Sequence, residues 1–388
     1  MTRKFGIITS NLFFAEVFLA RQIRSFEKEF DLTVVINCNE AEYRRGIGGN
    51  ARFLNVALER KISPWRDLCS LISLTREFRR NKYTLVHSTT PKAGLLAMIA
   101  GRLAGVPIRI HTFTGQVWQT RSGFMRWMLK ATDKLTTRCA TTVLVDGHNQ
   151  LSFLIDHGVL SPAKGKVIGN GSICGVDTNK FAPSPAHRTS VRHEIGAADD
   201  EVLLVYMARL TVDKGALLMA QAFTRLCEEQ TIGYRLLMIG PDEENLTDLI
   251  RTTVGKHVDR LHMLGYTRTP ERYIAAADIF CLPSYREGFP MVLLNAAACA
   301  VPALAARIHG STDAIEDNAT GLLHDSGDLG DMVQKIRTLA GDASLRARLG
   351  EAARARVMEL YAESVVTGRL RELYEQLIRE WDAGNANR

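Results

Sequence analysis

Short apolar runs rich in β-branched residues alternate with longer amphipathic stretches along almost the whole chain. In the first half, the short runs have the length and composition of buried strands. They predict strands at 5–9, 32–36, 85–88, 108–113, 143–146 and 166–168. The amphipathic stretches predict helices at about 14–26, 64–80, 91–104, 123–138 and 147–156. This half therefore has the βα alternation that is typical of a parallel sheet.

The second half repeats the same alternation. Its apolar runs predict strands at 202–207, 235–239, 261–264, 279–282, 303–305 and 322–324, and its end predicts helices at about 343–361 and 364–381. Parallel strands joined by right-handed helical crossovers need helices on both faces of the sheet. The chain has 388 residues, which suits two domains of ordinary size. We expect two doubly wound α/β domains, at 1–180 and 185–364, joined by a linker in the turn-rich segment 181–190.

Composition identifies a globular chain in a reducing compartment. Hydrophobic residues make up 46% of the chain and charged residues 23%, which is unlike a disordered protein. The seven cysteines are scattered, with no C-x-x-C pair, so we expect free thiols in a cytoplasmic protein. The N-terminus suits a strand and a helix better than a signal peptide, and no apolar run approaches the roughly 18 residues of a membrane span.

The net charge of +7 is unevenly distributed. Residues 1–180 carry 26 Lys and Arg against 13 Asp and Glu, whereas residues 181–388 carry 23 against 29. The excess of basic residues in 1–180 indicates either an ordinary solvated face or a surface that binds an anionic partner. Nucleic acid is a poor candidate because the chain has no recognisable binding motif and only one half is basic.

The segment 281–304 is the most informative about chemistry. An apolar strand ends in a Pro-Ser turn, and the carboxylate of Glu287 follows, then Gly288 for a sharp turn and Pro290 near a helix start. Backbone N–H groups at a helix start can bind an anion, and a carboxylate beside them can accept hydrogen bonds from sugar hydroxyls. This pairing suits a nucleotide sugar.

The same segment resembles the E-x7-E region of the retaining GT-B glycosyltransferases of family four, except that Asn295 replaces the second Glu. The segment from Ala208 to Gly215 resembles the G-R-L-x-x-x-K-G segment of that family. The resemblance implies that Arg209 and Lys214 clamp the donor diphosphate and that Glu287 contacts the donor sugar. It further implies a donor-binding set of Gly240, Gly265, Tyr266, Gly288, Phe289, Pro290, Met291 and Asn295.

The acceptor side resembles the family less closely. His87 to Gly94 is similar to an H-S-H-x-P-K-A-G turn in which Thr89 replaces the second His. Residues 109–115 are similar to a segment that often reads H-T-x-H-G, with Thr114 at the later His and His111 retained as a candidate catalytic residue at a strand end facing the cleft. The resemblance implies acceptor-side roles for Ser10, Asn11, Thr90, Lys92 and Thr114.

The resemblance also implies a fold and a reaction. The fold is GT-B, with two Rossmann-like domains facing a central cleft and a C-terminal helix, about 365–388, packing back on the first domain. The reaction is retaining transfer of a hexose or N-acetylhexosamine from a UDP-sugar to a lipid-diphosphate-linked glycan in bacterial O-antigen, capsule or exopolysaccharide assembly. It needs no metal or other cofactor. A non-hydrolysing UDP-sugar epimerase of the same architecture is the alternative, and epimer formation without acceptor would identify it.

A membrane surface is the expected anionic partner. Trp118, Phe124 and Trp127 are candidate exposed aromatic residues beside Arg121, Arg126 and Lys130, although aromatic residues at helical spacing can equally belong to a core. Each Lys or Arg near an anionic bilayer contributes about 1 kcal/mol. We therefore expect a peripheral protein on the cytoplasmic face of the plasma membrane.

Overall fold

The computed structural model describes residues 3–59, 63–229 and 232–386, and within them the chain divides into two units. The first unit runs to Cys174 and resumes at Val366, and the second runs from Gly175 to Val365. The last two residues of the predicted C-terminal helix, 387 and 388, lie outside the described residues. Each unit is built around one sheet whose strand pairs are all parallel, so the prediction of two doubly wound α/β domains is confirmed.

The sheet of the first unit has the strand order β3-β2-β1-β4-β5-β6-β7. Its strands are β1 (Lys4–Ile8), β2 (Asp31–Ile36), β3 (Arg52–Asn55), β4 (Leu85–Thr89), β5 (Ile108–Phe113), β6 (Thr142–Val145) and β7 (Gly165–Val167). The chain reverses its direction of sheet growth between β1 and β4, which lie side by side. A crevice opens at such a reversal, at the carboxyl ends of the strands.

Helices cover both faces of this sheet. They are α1 (Leu12–Phe14), a π-helical turn (Ala15–Leu19), α2 (Ala20–Phe26), α3 (Glu40–Gly46), α4 (Pro64–Asn81), α5 (Pro91–Ala104), a 3-10 turn (Val117–Thr120), α6 (Gly123–Cys139) and α7 (His148–Asp156). Helix α5 packs between α4 and α6. The last helix of the chain, α16 (Glu363–Ala386), adds Leu370 and Tyr374 to the core formed by Phe5 and Phe26.

The sheet of the second unit has the order β10-β9-β8-β11-β12-β13, which repeats the pattern of the first six strands of the other sheet. Its strands are β8 (Val202–Met207), β9 (Tyr234–Ile239), β10 (Leu261–Leu264), β11 (Ile279–Leu282), β12 (Ala303–Ala306) and β13 (Gly321–His324). The reversal here lies between β8 and β11.

The helical elements of the second unit cover its sheet in the same way. They are α8 (Pro185–Glu194), a 3-10 turn (Val212–Lys214), α9 (Ala216–Glu228), α10 (Thr247–Val254), a 3-10 turn (Gly255–Arg260), α11 (Pro270–Ile274), α12 (Met291–Ala298), α13 (His309–Ala314), α14 (Leu329–Gly341), α15 (Ala343–Arg356) and a π-helical turn (Val357–Tyr361).

The predicted linker at 181–190 is wrong. Phe181 is buried in the core of the second unit, and Ser184 accepts a hydrogen bond from the His187 N–H to cap α8. Arg188 and Arg192 of that helix both pair with Asp278, at 2.6 and 3.1 Å. The Pro and Ser residues that suggested a linker therefore begin a helix, since both residue types favour helix starts.

Two further features of the first unit differ from the sequence analysis. Strand β3 and helix α3 were not predicted from the sequence. Strand β3 is a short edge strand without a buried residue, and Tyr43 is the one buried residue of α3, so neither has a clear apolar pattern. Trp118 is not an exposed aromatic residue: it is fully buried and its indole N–H donates to the Asp133 carboxylate at 2.8 Å. Phe124 and Trp127 are exposed, as predicted. Among the described residues, no helix is long and apolar enough to cross a bilayer.

Candidate active site

The loop after β8 is pressed against the loop after β11. Gly215, which ends the 3-10 turn and precedes α9, has a φ of +70°. A Cβ atom at this residue would lie 2.1 Å from the carbonyl oxygen of Pro283, so only glycine allows the two loops to approach so closely. The loops stand at the carboxyl ends of β8 and β11, which is the reversal point of this sheet.

This contact brings Lys214 and Glu287 together. The Lys214 Nζ lies 2.7 Å from a Glu287 carboxylate oxygen, and the two side chains are only 15% and 13% exposed. The ammonium also donates to the Arg286 carbonyl at 3.4 Å. Removing two charges from water is costly, so an ion pair in this position is poor evidence for stability and better evidence for a binding role.

Arg209 lies on the same loop but is more exposed. Its guanidinium pairs with the Glu243 carboxylate, which follows β9. The neighbouring Glu244 accepts a hydrogen bond from the Val212 N–H at 2.9 Å. Three groups that could face a diphosphate (Arg209, Lys214 and the Val212 N–H) thus each contact a carboxylate. If a diphosphate bound here, its oxygens would replace these carboxylates as the partners of the three groups.

Two features that shape this site were not predicted from the sequence: the acidic loop 242–244 and Tyr206. Asp242 accepts hydrogen bonds from the Leu246 N–H at 2.9 Å and the Thr247 hydroxyl at 2.7 Å, and these lower the pKa of Asp242 to about 2. Tyr206, in the apolar strand β8, donates to the carbonyls of Arg209 and Lys214 at 2.9 and 3.2 Å. The run of acidic residues directly after a strand was the one signal that could have identified the loop.

The residues after Glu287 contribute mainly backbone. Phe289 points into the core against Tyr361, and Pro290 precedes α12 rather than lying in its first turn. A Cβ atom on Gly310, in the short helix after β12, would lie 2.0 Å from the Gly288 carbonyl oxygen, so this loop is also closely packed. Met291 and Asn295 lie one turn apart on α12, and both are partly exposed.

Two glycines of the predicted donor-binding set, Gly240 and Gly265, differ in their surroundings. Gly240, at the end of β9, has a φ of +148°, and a Cβ there would lie 2.0 Å from the Ala208 carbonyl oxygen. The close contact at Gly240 therefore holds the end of β9 beside the loop that carries Arg209. Gly265 has no atom within 4 Å of the position of a Cβ, and Tyr266 is exposed.

In the first unit, the reversal point between β1 and β4 holds a pair of neutral hydroxyls. The Ser10 and Thr90 side-chain oxygens lie 2.9 Å apart, and the Ser10 N–H also donates to Thr90. Lys92 pairs with Asp67 of α4 at 2.6 Å, and Asn11 caps α1. Thr114 follows β5 and is partly exposed.

His111 does not face open space. Its ring is buried in the middle of β5, its Nδ1 lies 3.0 Å from the Ser88 hydroxyl, and Gly94 of α5 packs directly on the ring. Burial lowers the pKa of His111 to about 3, so the ring is neutral. The expectation of a cleft-facing ring at the strand end is wrong, because β5 continues to Phe113 and α5 covers the ring. A catalytic role for His111 stays a prediction.

Comparisons with known proteins identify the family. Residues 187–356 match the family model "Glycosyl transferases group 1", and residues 15–171 match "Glycosyl transferase 4-like domain". The chain belongs to the family-four GT-B glycosyltransferases. It is therefore a glycosyltransferase, and the two matches together span most of both units.

Curated relatives and solved structures agree with this family. This glycosyltransferase is 28% identical to the capsular polysaccharide biosynthesis glycosyltransferase CapM of Staphylococcus aureus, over 84% of this chain and 85% of that one. It is 28% identical to the UDP-Gal:alpha-D-GlcNAc-diphosphoundecaprenol alpha-1,3-galactosyltransferase of Escherichia coli, over 76% of each. Anabaena HepE in complex with UDP superimposes with a TM-score of 0.80 at 18% identity, covering 96% of this chain and 100% of that one.

Proposed function

We propose that this glycosyltransferase moves a hexose or N-acetylhexosamine, with retention of configuration, from a UDP-sugar to a glycan carried on a polyprenyl diphosphate. The Lys214–Glu287 ion pair at the β8/β11 reversal point is the observation that carries the proposal. It offers a cation to a leaving diphosphate and a carboxylate to a sugar hydroxyl at one place. Bacterial O-antigen, capsule or exopolysaccharide assembly is the process that would use such a product.

Two relatives support the class of acceptor. The E. coli relative is named for a sugar on diphosphoundecaprenol, and so is the N,N'-diacetylbacillosaminyl-diphospho-undecaprenol alpha-1,3-N-acetylgalactosaminyltransferase of Campylobacter jejuni, which is 23% identical over 82% of this chain and 84% of that one. Both acceptors, as named, carry a single sugar on the lipid diphosphate. We propose an acceptor of the same type here.

In the proposed reaction, the bond between the sugar C1 and the diphosphate oxygen breaks while the acceptor oxygen bonds to C1 on the same face. The acceptor proton passes to the departing diphosphate. Arg209 and Lys214 stabilise the charge that develops on the diphosphate, and Glu287 orients the sugar by accepting its hydroxyls. Because two cationic side chains serve the diphosphate, we propose that no divalent ion is required, and transfer should persist in EDTA.

The test compares Arg209→Ala and Lys214→Ala with Arg337→Ala, an arginine of α14 that pairs with Glu229 at the end of α9, away from the carboxyl ends of the strands. Removal of a charge-stabilising donor commonly costs about 10²-fold or more in turnover, so both site variants should lose that much while Arg337→Ala stays near the wild type. NMR of the product should show the donor's anomeric configuration. Near-wild-type turnover in both folded site variants would remove the diphosphate clamp.

We further propose that the protein attaches peripherally to the cytoplasmic face of the plasma membrane. The support is the basic excess of residues 1–180 and the exposed Arg121 and Arg126 near the start of α6. Attachment of this kind weakens as salt shortens the Debye length from about 10 Å at 0.1 M to about 3 Å at 1 M. Anionic vesicles should capture the protein at low salt, and neutralising Arg121, Arg126 and Lys130 together should reduce the capture.

A further inference from the structure

The largest exposed aromatic side chains of the first unit lie at the starts of two helices. Trp65 is the second residue of α4 and is 75% exposed. Phe124 and Trp127 lie in the first turns of α6, are 74% and 65% exposed, and stack on each other with ring centroids 5.7 Å apart. Further exposed apolar side chains continue from these three along the same helices: Leu68, Ile72 and Met125.

The topology places both helix starts at one edge of the sheet. All strands of this sheet are parallel, and each helix returns the chain to the start of the next strand. The starts of α4, α5 and α6 therefore all lie at the carboxyl edge, with α5 packed between the other two. Neighbouring helices pack about 8–10 Å apart, so the aromatic residues of α4 and α6 stand about 20 Å from each other.

The turn between the two aromatic groups carries predicted acceptor-side residues. Thr90 precedes α5 and bonds Ser10 across the reversal point, and Lys92 in the first turn of α5 pairs with Asp67 in the first turn of α4. Whatever covers the aromatic residues on both sides of this turn also lies against the acceptor side of the unit.

A lipid surface is the partner that this chemistry fits. Trp and Phe rings partition into the interface between headgroups and acyl chains, and Arg beside them attracts anionic headgroups. Arg121 and Arg126, both exposed, flank Phe124. Contiguous exposed apolar patches are uncommon on monomeric proteins and mark interaction surfaces. The basic surroundings favour an anionic bilayer over a second, equally basic copy of this unit.

We infer that Trp65, Phe124 and Trp127 insert into the headgroup layer of an anionic bilayer and hold the carboxyl edge of the first sheet against it. This inference rests on the proposed function, since it assigns the membrane as the place where the acceptor is presented. With the turn at Thr90 held between two inserted groups, the acceptor hydroxyl must lie close to the lipid diphosphate. Acceptors with one or two sugars should therefore react faster than long lipid-linked chains.

Bromolipid quenching of tryptophan fluorescence tests the insertion directly. Vesicles of phosphatidylcholine and phosphatidylglycerol with brominated acyl chains should quench the wild type, because Trp65 and Trp127 enter the bilayer. The variant Trp65→Phe/Trp127→Phe should escape quenching, since the remaining Trp118 is buried and Trp381 packs against Arg3, just before β1 and therefore at the opposite ends of the strands. Absence of quenching in the wild type would overturn the inference.

Activity measurements then separate insertion from general surface changes. Trp65→Ser/Phe124→Ser/Trp127→Ser should lower transfer to a bilayer-embedded acceptor about tenfold, a loss of about 1.4 kcal/mol, and leave a short water-soluble acceptor unaffected. The control Leu103→Ser/Leu135→Ser removes exposed apolar groups toward the opposite ends of α5 and α6 and should change neither activity.

Three outcomes would contradict the inference. One is an equal loss in the control, and another is an equal loss on both acceptors. The third is sedimentation of a wild-type dimer that the triple variant dissociates without lipid, because a second copy would then cover the aromatic residues. If the wild type transfers sugar to neither acceptor, the proposed function fails, whereas the quenching result remains a separate measurement of insertion.

Discussion

The two units place different chemistry at the same topological position. Each sheet reverses its direction of growth between its first and fourth strands, at β1/β4 and at β8/β11. The first reversal point holds the neutral Ser10–Thr90 hydroxyl pair, and the second holds the Lys214–Glu287 ion pair. One scaffold thus supplies either a neutral or a charged site, depending on the few residues that follow two strands.

The difference follows from what each proposed ligand requires. A diphosphate leaving group develops charge during transfer, and fixed opposite charge stabilises it. An acceptor alcohol is neutral, so hydroxyl groups can hydrogen-bond it without a permanent charge nearby. The comparison leads us to expect that charge at the second reversal point governs the rate, whereas the hydroxyls of the first govern positioning.

The largest expected effect separates the two reversal points. Glu287→Gln should lower transfer about 10²–10³-fold, since it breaks the ion pair and weakens the acceptor of the sugar hydroxyl bonds. Ser10→Ala and Thr90→Ala each remove one neutral hydrogen bond, worth about 1 kcal/mol, and should cost about fivefold. Turnover with a saturating UDP-sugar is the measurement.

Thermal unfolding of the same variants is the control: Ser10→Ala and Thr90→Ala should keep a wild-type midpoint within a few degrees, whereas Glu287→Gln leaves the Lys214 ammonium without its carboxylate and should lower the midpoint further while the protein stays folded at the assay temperature. A Thr90→Ala loss as large as that of Glu287→Gln would contradict the contrast between a charged and a neutral site.

The next effect concerns the backbone contact that forms the charged site. Gly215→Ala places a Cβ against the Pro283 carbonyl and strains a positive φ, so we expect a loss of about 2 kcal/mol in the free energy of unfolding and weaker UDP binding. Gly105→Ala, at the end of α5, is the matched control: its φ of +74° and ψ of +23° are close to the +70° and +24° of Gly215, yet no atom lies within 4 Å of the new Cβ. It should cost about 1 kcal/mol and leave UDP binding unchanged. Equal effects in denaturant titrations would show that the close approach does not matter.

Sequence patterns were sufficient for much of the second unit. The apolar runs predicted most of its strands. The motifs predicted that Lys214 and Glu287 belong to one site, and the structure brings the two side chains together. The reason is local: both residues lie in the loops after buried strands, and the topology makes those two strands neighbours in the sheet. The partners Glu243 and Tyr206 were missed because a side chain's hydrogen-bond partner across a sheet leaves no periodic signal.

The first unit was harder to predict for the same physical reason. His111 and Trp118 are both buried by neighbouring helices that were themselves predicted: α5 covers His111, and α6 supplies Asp133 to Trp118. Burial of a polar-tipped side chain depends on which helix packs over it. Phe124 and Trp127, with nothing packed over them, were correctly predicted as exposed.

Acid pH should weaken the first unit through its two buried histidines. Burial lowers the pKa of His87 and of His111 to about 3, from about 6.5 when unfolded. Below pH 6.5 these two histidines bind protons only in the unfolded chain, so their contribution to stability is full above pH 6.5 and falls as the pH drops toward 3. Burial raises the pKa of Asp133 in the same unit to about 7, so this carboxyl binds its proton in the folded unit first and offsets one of the two. Tryptophan fluorescence reports this unit alone, because Trp65, Trp118, Trp127 and Trp381 all belong to it.

Urea midpoints measured by that fluorescence should therefore fall between pH 6.5 and 4.5. The buried Asp133 offsets one of the two histidine protons, so the wild-type slope corresponds to about one proton, and in His111→Gln the midpoint should become nearly independent of pH. A wild-type midpoint that does not fall in this range would contradict the assignment of neutral buried rings.

The smallest expected effect tests how far the charged site extends along α12. Asn295 stands where the resembled family has a glutamate, and an amide oxygen accepts ribose hydroxyl bonds without the help of charge. Asn295→Glu should strengthen UDP binding by about 1 kcal/mol, or roughly fivefold, because hydrogen bonds to a carboxylate exceed those to a neutral oxygen. Asn295→Gln has the same length as the glutamate and no charge, so it should leave UDP binding near the wild type. Calorimetric titration of both variants with UDP makes the comparison. A marked loss of affinity in folded Asn295→Glu would mean that this residue does not face the ribose, and the charged site would then end at Glu287.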